Sequence, residues 1–335
     1  MDYNTSQSQL RQDIISGDWV LIAPGRSKRP GHAEKKKKRG GLLAYIKKTN
    51  CPFERIVQEP SVLRGDLKKW RLVIIGNLYP ALAHGPHCPV MLSHGPYHYL
   101  SGIGTHDLVI TRKHAEHFAL LKADRAVEVF EAVIERIGQL KKEPCIEYVS
   151  FFQNYGMRAG ASQPHPHFQV IGLPVVPPEV AHSISSSHRY YEEHHQCAHC
   201  AVLTYEIKQD ERIVYENEHA VVIAPFASTH SYELRVFPRR HRSRLEETPS
   251  VELIGVVAAL QHALMALRRQ LGDPDYNFFV HTAPLQQKSH YDEYHWHIEI
   301  MPRLETFAGF ELGTGIIINP VAPEAAASLL KKAAA

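Results

Sequence analysis

The feature that most constrains the fold of this 335-residue chain is an order of elements that occurs twice. Each half has a cysteine-containing turn, strand candidates, a basic segment that ends in histidine, a helix with one apolar face, and a strand-like His-x-His. These histidine pairs are His165 with His167 in the first half and His295 with His297 in the second. Because the features recur in one order and at similar spacing, we infer a duplication rather than two ordinary domains that share a pattern by accident.

The helices are the clearest predicted elements. Apolar residues recur at helical spacing from residue 124 to 141. In the second half Thr248 and Pro249 suit an N-cap and a first helical position, and Gly272 ends the helix. Strand candidates are residues 71–75, 107–114, 146–153 and 165–171, then 212–215, 220–224, 234–241, 276–281 and 295–300. This order predicts an α+β fold of two related units, residues 1–178 and 179–335, connected through residues 174–179 and the polar stretch 183–195.

Composition is typical of a soluble globular enzyme, with 44% hydrophobic and 22% charged residues. The net charge of +3 is too small to indicate nucleic-acid binding, and the basic run at residues 35–39 is interpreted as a solvated loop rather than a nucleic-acid tail. The amino terminus lacks a signal-peptide pattern, and no apolar window is long enough to predict a membrane span. Five scattered cysteines do not resemble a disulfide framework, so a reducing cytoplasm is expected.

The 23 histidines of the chain direct attention to metal or phosphate chemistry. Cys197 and Cys200 form a Cys-x-x-Cys pair that can chelate one zinc ion, which prefers four nitrogen or sulfur ligands. The repeat nominates His241 and His295 as the other two ligands, because their strands return to one place. These four residues predict a closed, structural zinc site. The alternative is a pair of free thiols beside unrelated histidines.

The equivalent positions in the first half are Cys51, Glu54, His114 and His165. Glu54 stands where the repeat would place a second cysteine. A carboxylate oxygen can complete a zinc shell, so these residues remain candidate ligands for a first metal site. Alternatively, this half has lost its metal and packing holds the segment. The residues alone leave both readings open.

The most informative segment runs from residue 154 to 169. Residues two apart on a strand point to the same side, so His165, His167 and Gln169 are expected in one row. A neutral imidazole is a good nucleophile toward phosphorus near pH 7. Small and amide residues upstream can donate to phosphate oxygens or admit them close to the backbone; they are Asn154, Gly156, Gly160 and Ser162. This pattern favours phosphoryl chemistry over a histidine-rich core strand.

The segments GASQPHPHFQ (160–169) and YHWHIEIMPRL (294–304) resemble the galactose-1-phosphate uridylyltransferase family of the histidine triad superfamily. Other similar segments are DWVLIAPGRSKRP (18–30), CPF (51–53), GNLYPAL (76–82), PFASTHSYELRVFPRRH (225–241) and GFELGTGIIINP (309–320). The last is similar to the branch that includes ADP-glucose phosphorylase and bacterial uridylyltransferase-like proteins. The resemblance implies two tandem histidine-triad-like units, each an antiparallel sheet with a packed helix.

The resemblance also assigns expected roles. His167 is similar to the nucleophile that becomes nucleotidylated, and His165 to a zinc-bound histidine that orients the catalytic strand. The remaining matches are Arg26, Arg29 and Asn77 for the nucleotide, Asn154, Gly160, Ser162 and Gln169 for phosphate, and Glu311 for sugar hydroxyls across a dimer interface. The resemblance thus implies zinc as cofactor, a homodimer, and a two-step exchange through a covalent nucleotidyl-histidine.

The first functional expectation is a hexose-1-phosphate uridylyltransferase, which exchanges UDP-glucose and galactose 1-phosphate. The second is a nucleoside-diphosphate-sugar phosphorylase, such as one for ADP-glucose, with inorganic phosphate as acceptor. Two alternatives outside transfer are a non-catalytic, zinc-stabilised nucleotide-binding protein and a nucleotide hydrolase. Nucleotide sugars, sugar 1-phosphates or phosphate are therefore the expected ligands.

Overall fold

The computed structural model describes residues 7–28, 48–55, 58–66, 68–85, 87–114, 116–286 and 289–334. The basic run at 35–39 lies outside these residues. The first-half strands are β1 (Gln9–Gln12), β2 (Trp19–Ile22), β3 (Val62–Arg64), β4 (Leu72–Gly76), β5 (Leu92–His94), β6 (Tyr97–Tyr99), β7 (Thr105–Thr111), β8 (Tyr148–Tyr155) and β9 (His167–Leu173). They are followed by β10 (Ile213–Glu216), β11 (Ala220–Ile223), β12 (Leu234–Pro238), β13 (Tyr276–His281), β14 (His297–Pro302) and β15 (Ile317–Asn319).

The helices confirm the two predicted ones and add others. They are α1 (Ala123–Leu140), α2 (Pro178–His194), α3 (Ala198–Gln209), α4 (Ser250–Leu271), α5 (Gly309–Thr314) and α6 (Pro323–Ala334). Helix α4 starts one residue later than predicted, with Pro249 as its N-cap, and Gly272 ends it in the left-handed conformation. The connection between the halves, predicted only as a polar segment, is largely the helix α2.

A ten-stranded sheet, antiparallel throughout, joins the two halves in the order β10-β11-β12-β14-β13-β8-β9-β7-β4-β3. The halves meet where β13 pairs with β8, with Asn277 opposite Asn154. Counted outward from this junction, both halves have the same topology. The antiparallel sheet and its packed helices confirm the predicted α+β class. The domain boundary at residue 178 stays a prediction, because the sheet is continuous across the halves.

The largest hydrophobic core lies between one side of this sheet and the helices α1, α4 and α6. Phe151, Phe168 and Phe278 come from three neighbouring strands and pack together within it. Full burial of each such ring stabilises the fold by about 1.5–3 kcal/mol. Because strand residues alternate sides, burial of Phe168 in this core turns His167 and Gln169 to the other side of the sheet.

Helix α4 is long and apolar enough, by length and composition alone, to cross a membrane. Such a window was not predicted from the sequence. Most of the apolar side chains of α4 are buried against the sheet and against α1 and α6, as in the core helix of a globular domain.

One expectation about cysteine is wrong. Cys88 and Cys145 form a disulfide, which connects the segment before β5 to the turn after α1. The pairing could not be read from the sequence, because its partners are far apart in the chain and only the fold brings them together. Cys51, Cys197 and Cys200 are free thiols. The cytoplasmic location remains a prediction.

Candidate active site

A cavity of about 380 Å³ contains His167 and most of the side chains expected around it. This volume is in the usual range for a small-molecule site. The residues expected at the site and found in its lining are Asn77, Asn154, Gly160, Ser162, His167 and Gln169. The other lining residues are Pro52, Phe53, Arg55, Gln58, Ile75, Gly76, Leu78, Tyr79, Leu108 and Gln163. The sheet and the loops at its edge therefore bring six sequence-predicted residues together.

The surroundings of His167 prepare it for attack on phosphorus. Its Nδ1 lies 3.0 Å from the carbonyl oxygen of His165. Since a carbonyl can only accept, Nδ1 carries the proton and Nε2 keeps the lone pair. Burial lowers the pKa of His167, against the opposing effect of that carbonyl, so the ring is neutral at pH 7. The edge of the Phe53 ring packs against it, with ring centroids 5.1 Å apart.

A tight turn follows β8 and leads the chain past the cavity. Gly156 and Gly160 both have positive φ, at 84° and 87°. A Cβ on Gly156 would overlap the carboxylate of Asp275, which accepts a hydrogen bond from the backbone N–H of Arg158 at 2.8 Å. Asn277 donates to both the Asn154 side chain and the Ala159 carbonyl, each at 2.8 Å. The second half therefore holds the turn that presents Asn154 and Gly160.

The predicted second-half metal ligands converge. One ligand atom from each of Cys197, Cys200, His241 and His295 lies within 4.8 Å of the others. The Sγ atom of Cys200 is 3.4 Å from Nδ1 of His241 and 3.6 Å from Nδ1 of His295. His241 donates from Nε2 to the Asp292 carbonyl at 2.7 Å, which leaves Nδ1 as the coordinating atom. Two thiolates and two imidazoles in this arrangement fit zinc.

The predicted first-half ligands also converge, and Glu54 is among them. Cys51, His114 and His165 bring ligand atoms within 4.8 Å of one another. Oxygen Oε1 of Glu54 lies 3.3 Å from Nδ1 of His114 and 3.6 Å from Nδ1 of His165. His165 donates from Nε2 to the Thr111 carbonyl at 2.6 Å. Its Nδ1 is therefore unprotonated and directs its lone pair toward the other candidate ligands.

This donor set fits a metal ion on physical grounds. Oε1 of Glu54 is buried and makes no hydrogen bond. A buried carboxylate oxygen without a hydrogen bond is costly, and a cation among these four side chains would satisfy it. Both groups of residues could therefore hold a metal ion.

His297 is the second-half counterpart of His167, and within the described residues it lies among packed side chains. This residue repeats the geometry of His167, with Nδ1 3.1 Å from the His295 carbonyl, but its ring stacks on Phe237 and is almost fully enclosed. Arg235 pairs with Glu299 across β12 and β14, as Leu108 pairs with Gln169 across β7 and β9.

The Arg235 side chain lies 3.2 Å from Glu299, 3.0 Å from Asp13 and 3.5 Å from Glu233. His281 lies 3.0 Å from the other oxygen of Glu299. Arg235 and Glu299 thus stand at the register positions that Leu108 and Gln169, two residues of the cavity lining, hold in the first half. We therefore infer that the second half is a structural counterpart of the site rather than a second reaction centre.

Comparison with known families decides the assignment. The family model described as galactose-1-phosphate uridyl transferase, N-terminal domain, matches residues 1–177, and a domain of unknown function, DUF4921, matches residues 92–333. An ADP-glucose phosphorylase from Arabidopsis thaliana is 32% identical over 97% of this chain and 92% of the relative. The chain belongs to the galactose-1-phosphate uridylyltransferase family.

Other members resemble it along nearly the whole chain. A galactose-1-phosphate uridylyltransferase from Thermotoga maritima is 28% identical over 97% of this chain and 98% of its own. The crystal structure of the Arabidopsis thaliana ADP-glucose phosphorylase with bound ADP-glucose superposes with a TM-score of 0.81 at 31% identity, covering 97% and 99% of the two chains. A uridylyltransferase structure gives 0.75 at 28% identity, covering 98% of each. These similarities support the branch of the family expected from the sequence.

Two of the described residues expected to contact substrate, Arg26 and Glu311, do not line the cavity of this uridylyltransferase-family chain. Arg26 lies exposed on the 3-10 helix Pro24–Lys28, and Arg29 lies outside the described residues. Glu311 lies on α5, where its carboxylate accepts a hydrogen bond from the Ala308 N–H at 3.0 Å. Their expected roles stay predictions.

Several residues that shape the site were not predicted. Phe53 packs on the nucleophile, Asn277 and Asp275 support the glycine turn, and His106 contacts Gln169. His106 could have been suspected, because it precedes the strand-like residues 107–114. Asn277 and Asp275 reach the site only through the pairing of β13 with β8, and this pairing cannot be predicted from the sequence.

Proposed function

We propose that the protein is a nucleotidyltransferase in which Nε2 of His167 attacks the α-phosphorus of a nucleoside-diphosphate sugar. The observation that carries this proposal is the neutral His167, its Nδ1 proton held by a carbonyl, in a cavity whose lining includes the hydrogen-bond donors Asn154, Ser162 and Gln169 and the basic residue Arg55. As the N–P bond forms, the bond from the α-phosphorus to the bridging oxygen breaks. Sugar 1-phosphate leaves with that electron pair.

In the second step a phosphate oxygen of the acceptor attacks the same phosphorus and His167 leaves as neutral imidazole. Ser162, Asn154 and Gln169 donate to the phosphate oxygens as their charge is redistributed, so positioning and electrostatic stabilisation supply most of the catalysis. No proton transfer by His167 is needed in either step.

Of the two specific activities, similarity favours a phosphorylase that acts on ADP-glucose. The Arabidopsis thaliana ADP-glucose phosphorylase is more similar in sequence, at 32% against 28% for the Thermotoga maritima uridylyltransferase. Its structure with bound ADP-glucose also superposes more closely, with a TM-score of 0.81 against 0.75 for the uridylyltransferase. The order expected from the sequence alone, uridylyltransferase first, is therefore reversed in this proposal.

Zinc is the proposed metal at both ligand groups. The residues that would hold it are Cys51, Glu54, His114 and His165 in the first half, and Cys197, Cys200, His241 and His295 in the second. A bound zinc ion supplies fixed geometry to its ligands. In the first half this bears on catalysis, because the carbonyl of His165 orients the nucleophile.

A homodimer is also proposed. Every residue of the two-stranded β5–β6 hairpin is exposed, including Leu92, Tyr97 and Tyr99. A lone hairpin is only marginally stable in water, so contact with a second copy would stabilise it. Glu311, expected to contact sugar hydroxyls, does not line the cavity of its own chain, which supports a role at the partner's site.

The proposal is tested by intact mass spectrometry. The protein is incubated separately with ADP-glucose, UDP-glucose and UDP-galactose, then quenched at alkaline pH. We expect a nucleotidyl adduct in the wild type, none in His167→Ala, and an unchanged adduct in His297→Ala, the matched position of the repeat. Circular dichroism checks that both variants fold.

The same experiment separates the alternatives. An adenylyl adduct that is discharged by inorganic phosphate supports the phosphorylase, and a uridylyl adduct discharged by galactose 1-phosphate supports the uridylyltransferase. An adduct lost equally fast without acceptor indicates a hydrolase. Nucleotide binding without any adduct would overturn the transferase proposal in favour of a binding protein.

A further inference from the structure

We propose that His106 is a positioning residue, which uses its two ring nitrogens to fix both Gln169 and the loop at residues 77–83 that borders the cavity. His106 lies at the cavity edge of β7 and does not line the cavity itself. The inference rests on the proposed function, because it assigns Gln169 a role at the transferring phosphate. In this assignment His106 affects the substrate only through the residues that it contacts.

The hydrogen bonds of His106 determine its tautomer. The backbone N–H of Ala81 donates to Nδ1 at 3.0 Å, so Nδ1 is the unprotonated nitrogen. The proton of the neutral ring is therefore on Nε2, which lies 2.8 Å from Oε1 of Gln169 and donates to it. One ring thus accepts from the loop on one side and donates to the catalytic strand on the other.

The bond to Gln169 determines which end of that amide is available. With Oε1 engaged by His106, the NH₂ group of Gln169 is the end free to donate to a phosphate oxygen in the cavity. Without His106 the amide could rotate and present its oxygen to the phosphate, which would repel it. His106 therefore sets the polarity of Gln169.

The bond from Ala81 fixes the loop. Asn77 and Tyr79 line the cavity, and the backbone of Asn77 also donates to the His106 carbonyl at 2.8 Å. Oδ1 of Asn77 accepts from the Tyr79 N–H at 3.0 Å, and its Nδ2 lies 3.2 Å from Nε2 of His106, a contact between two donors in this tautomer that adds no hydrogen bond. The same histidine therefore holds the loop that carries the nucleotide-side residues of the cavity.

Two substitutions separate these two bonds. In His106→Asn, Oδ1 replaces Nδ1 as acceptor for Ala81, while the donor to Gln169 is lost. In His106→Gln, the side-chain nitrogen replaces Nε2 as donor to Gln169, while the acceptor for Ala81 is lost. We measure the maximal rate of adduct formation and the half-saturating concentration of ADP-glucose and UDP-glucose in single-turnover experiments.

We expect His106→Asn to lower the maximal rate about tenfold and change half-saturation less than about twofold. His106→Gln should raise half-saturation about fivefold and leave the maximal rate within about twofold. In the Gln169→Ala background, His106→Asn should have less than about a twofold further effect, because it acts through Gln169. His262→Asn, at a half-buried histidine stacked on Tyr215, is the matched control and should behave as wild type.

Two results would overturn the assignment. One is that both variants match the wild type within twofold. The other is that both change rate and half-saturation together, as a general loss of structure would.

Failure of the proposed function is recognised separately. If the wild type forms no adduct, binding of AMP and UMP is measured by calorimetry. Weaker binding in His106→Gln but not in His106→Asn then supports the loop contact while transfer fails. Equal binding in all three proteins overturns the positioning role.

Discussion

His117 is a buried residue whose ionisation affects stability, although it takes no part in the proposed chemistry. Its Nδ1 accepts a hydrogen bond from the Ala119 N–H at 3.0 Å and caps a short 3-10 helix. Its ring packs edge-on against Tyr155, with centroids 4.5 Å apart. Burial lowers the pKa of His117 from 6.5 to about 4, with Arg268 adding to the effect and Asp273 opposing it.

This pKa shift predicts a loss of stability in acid. Well above pH 6.5 His117 is neutral in both states, but as the pH falls through 6.5 toward 4 the unfolded chain binds the proton first. At pH 5 this lowers the free energy of unfolding by about 2 kcal/mol.

The variant His117→Asn tests this prediction, because it keeps an acceptor for Ala119 and does not titrate. Urea denaturation at pH 7.5 and 5 should show a smaller difference in the free energy of unfolding in the variant than in the wild type. His230, whose pKa is also lowered to about 4, provides part of the remaining slope. If the wild type and His117→Asn lose the same stability between pH 7.5 and 5, His117 does not cause the loss.

At the residue scale, prediction was best where the chemistry lies on a single strand. His167 and Gln169 were placed together because strand alternation is local. The contacts of His106 and Asn277 depend instead on which strands are neighbours, and the register of distant strands cannot be read from their residues. The Cys88–Cys145 disulfide was missed for the same reason.

At the scale of single elements, the turn after β8 is the one on which the site depends most. Gly156→Ala would place a side chain at φ 84° and overlap Asp275, so Asp275 must move and the bond to the Arg158 N–H is lost. We expect a loss of about 2–4 kcal/mol in stability and a fall of roughly hundredfold in the rate of adduct formation.

The matched control for this turn is Gly272→Ala. Gly272 has a similar φ of 72°, but nothing lies within 4 Å of an added Cβ. We expect a loss of about 1 kcal/mol and an unchanged rate of adduct formation. Thermal unfolding and single-turnover assays measure both effects. If the two variants lose activity equally, the close approach of Asp275 does not matter.

The long helices α1 and α4 were predictable because their apolar periodicity is strong and their ends carry the expected signals. Helix α2 was not predicted, because its serine-, histidine- and glutamate-rich sequence shows little apolar periodicity. Only a few of its residues, such as Val180 and Ile184, are buried against neighbours that include Tyr291 and Tyr294. Its position follows from tertiary packing more than from its own sequence.

For the molecule as a whole, the two ligand groups should differ in what their metal supports. Metal analysis should find two zinc ions per wild-type chain and one fewer in either Cys51→Ser or Cys200→Ser. Cys51→Ser should slow adduct formation at least about tenfold, because the first group holds the residue that orients His167. Cys200→Ser should lower the melting temperature but leave the rate in the folded protein unchanged. If Cys51→Ser and Cys200→Ser slow adduct formation equally, the two ligand groups do not differ in their roles.

The duplication was predictable because both halves keep the same order of signals. The joining of the halves into one sheet was not, since the pairing of β13 with β8 involves strands far apart in the chain. This pairing matters for the site, because it lets Asn277 of the second half hydrogen-bond to the turn that places Asn154 in the cavity lining.

The charged network around Arg235 also has an evolutionary consequence. Removing Arg235 alone would leave the buried Glu299 with His281 as its remaining basic partner, and removing Glu299 alone would deprive both Arg235 and His281 of a partner. Breaking such a buried pair on one side typically costs about 3–5 kcal/mol. Single substitutions in this network are therefore expected to destabilise the fold, which restricts how the second half can change.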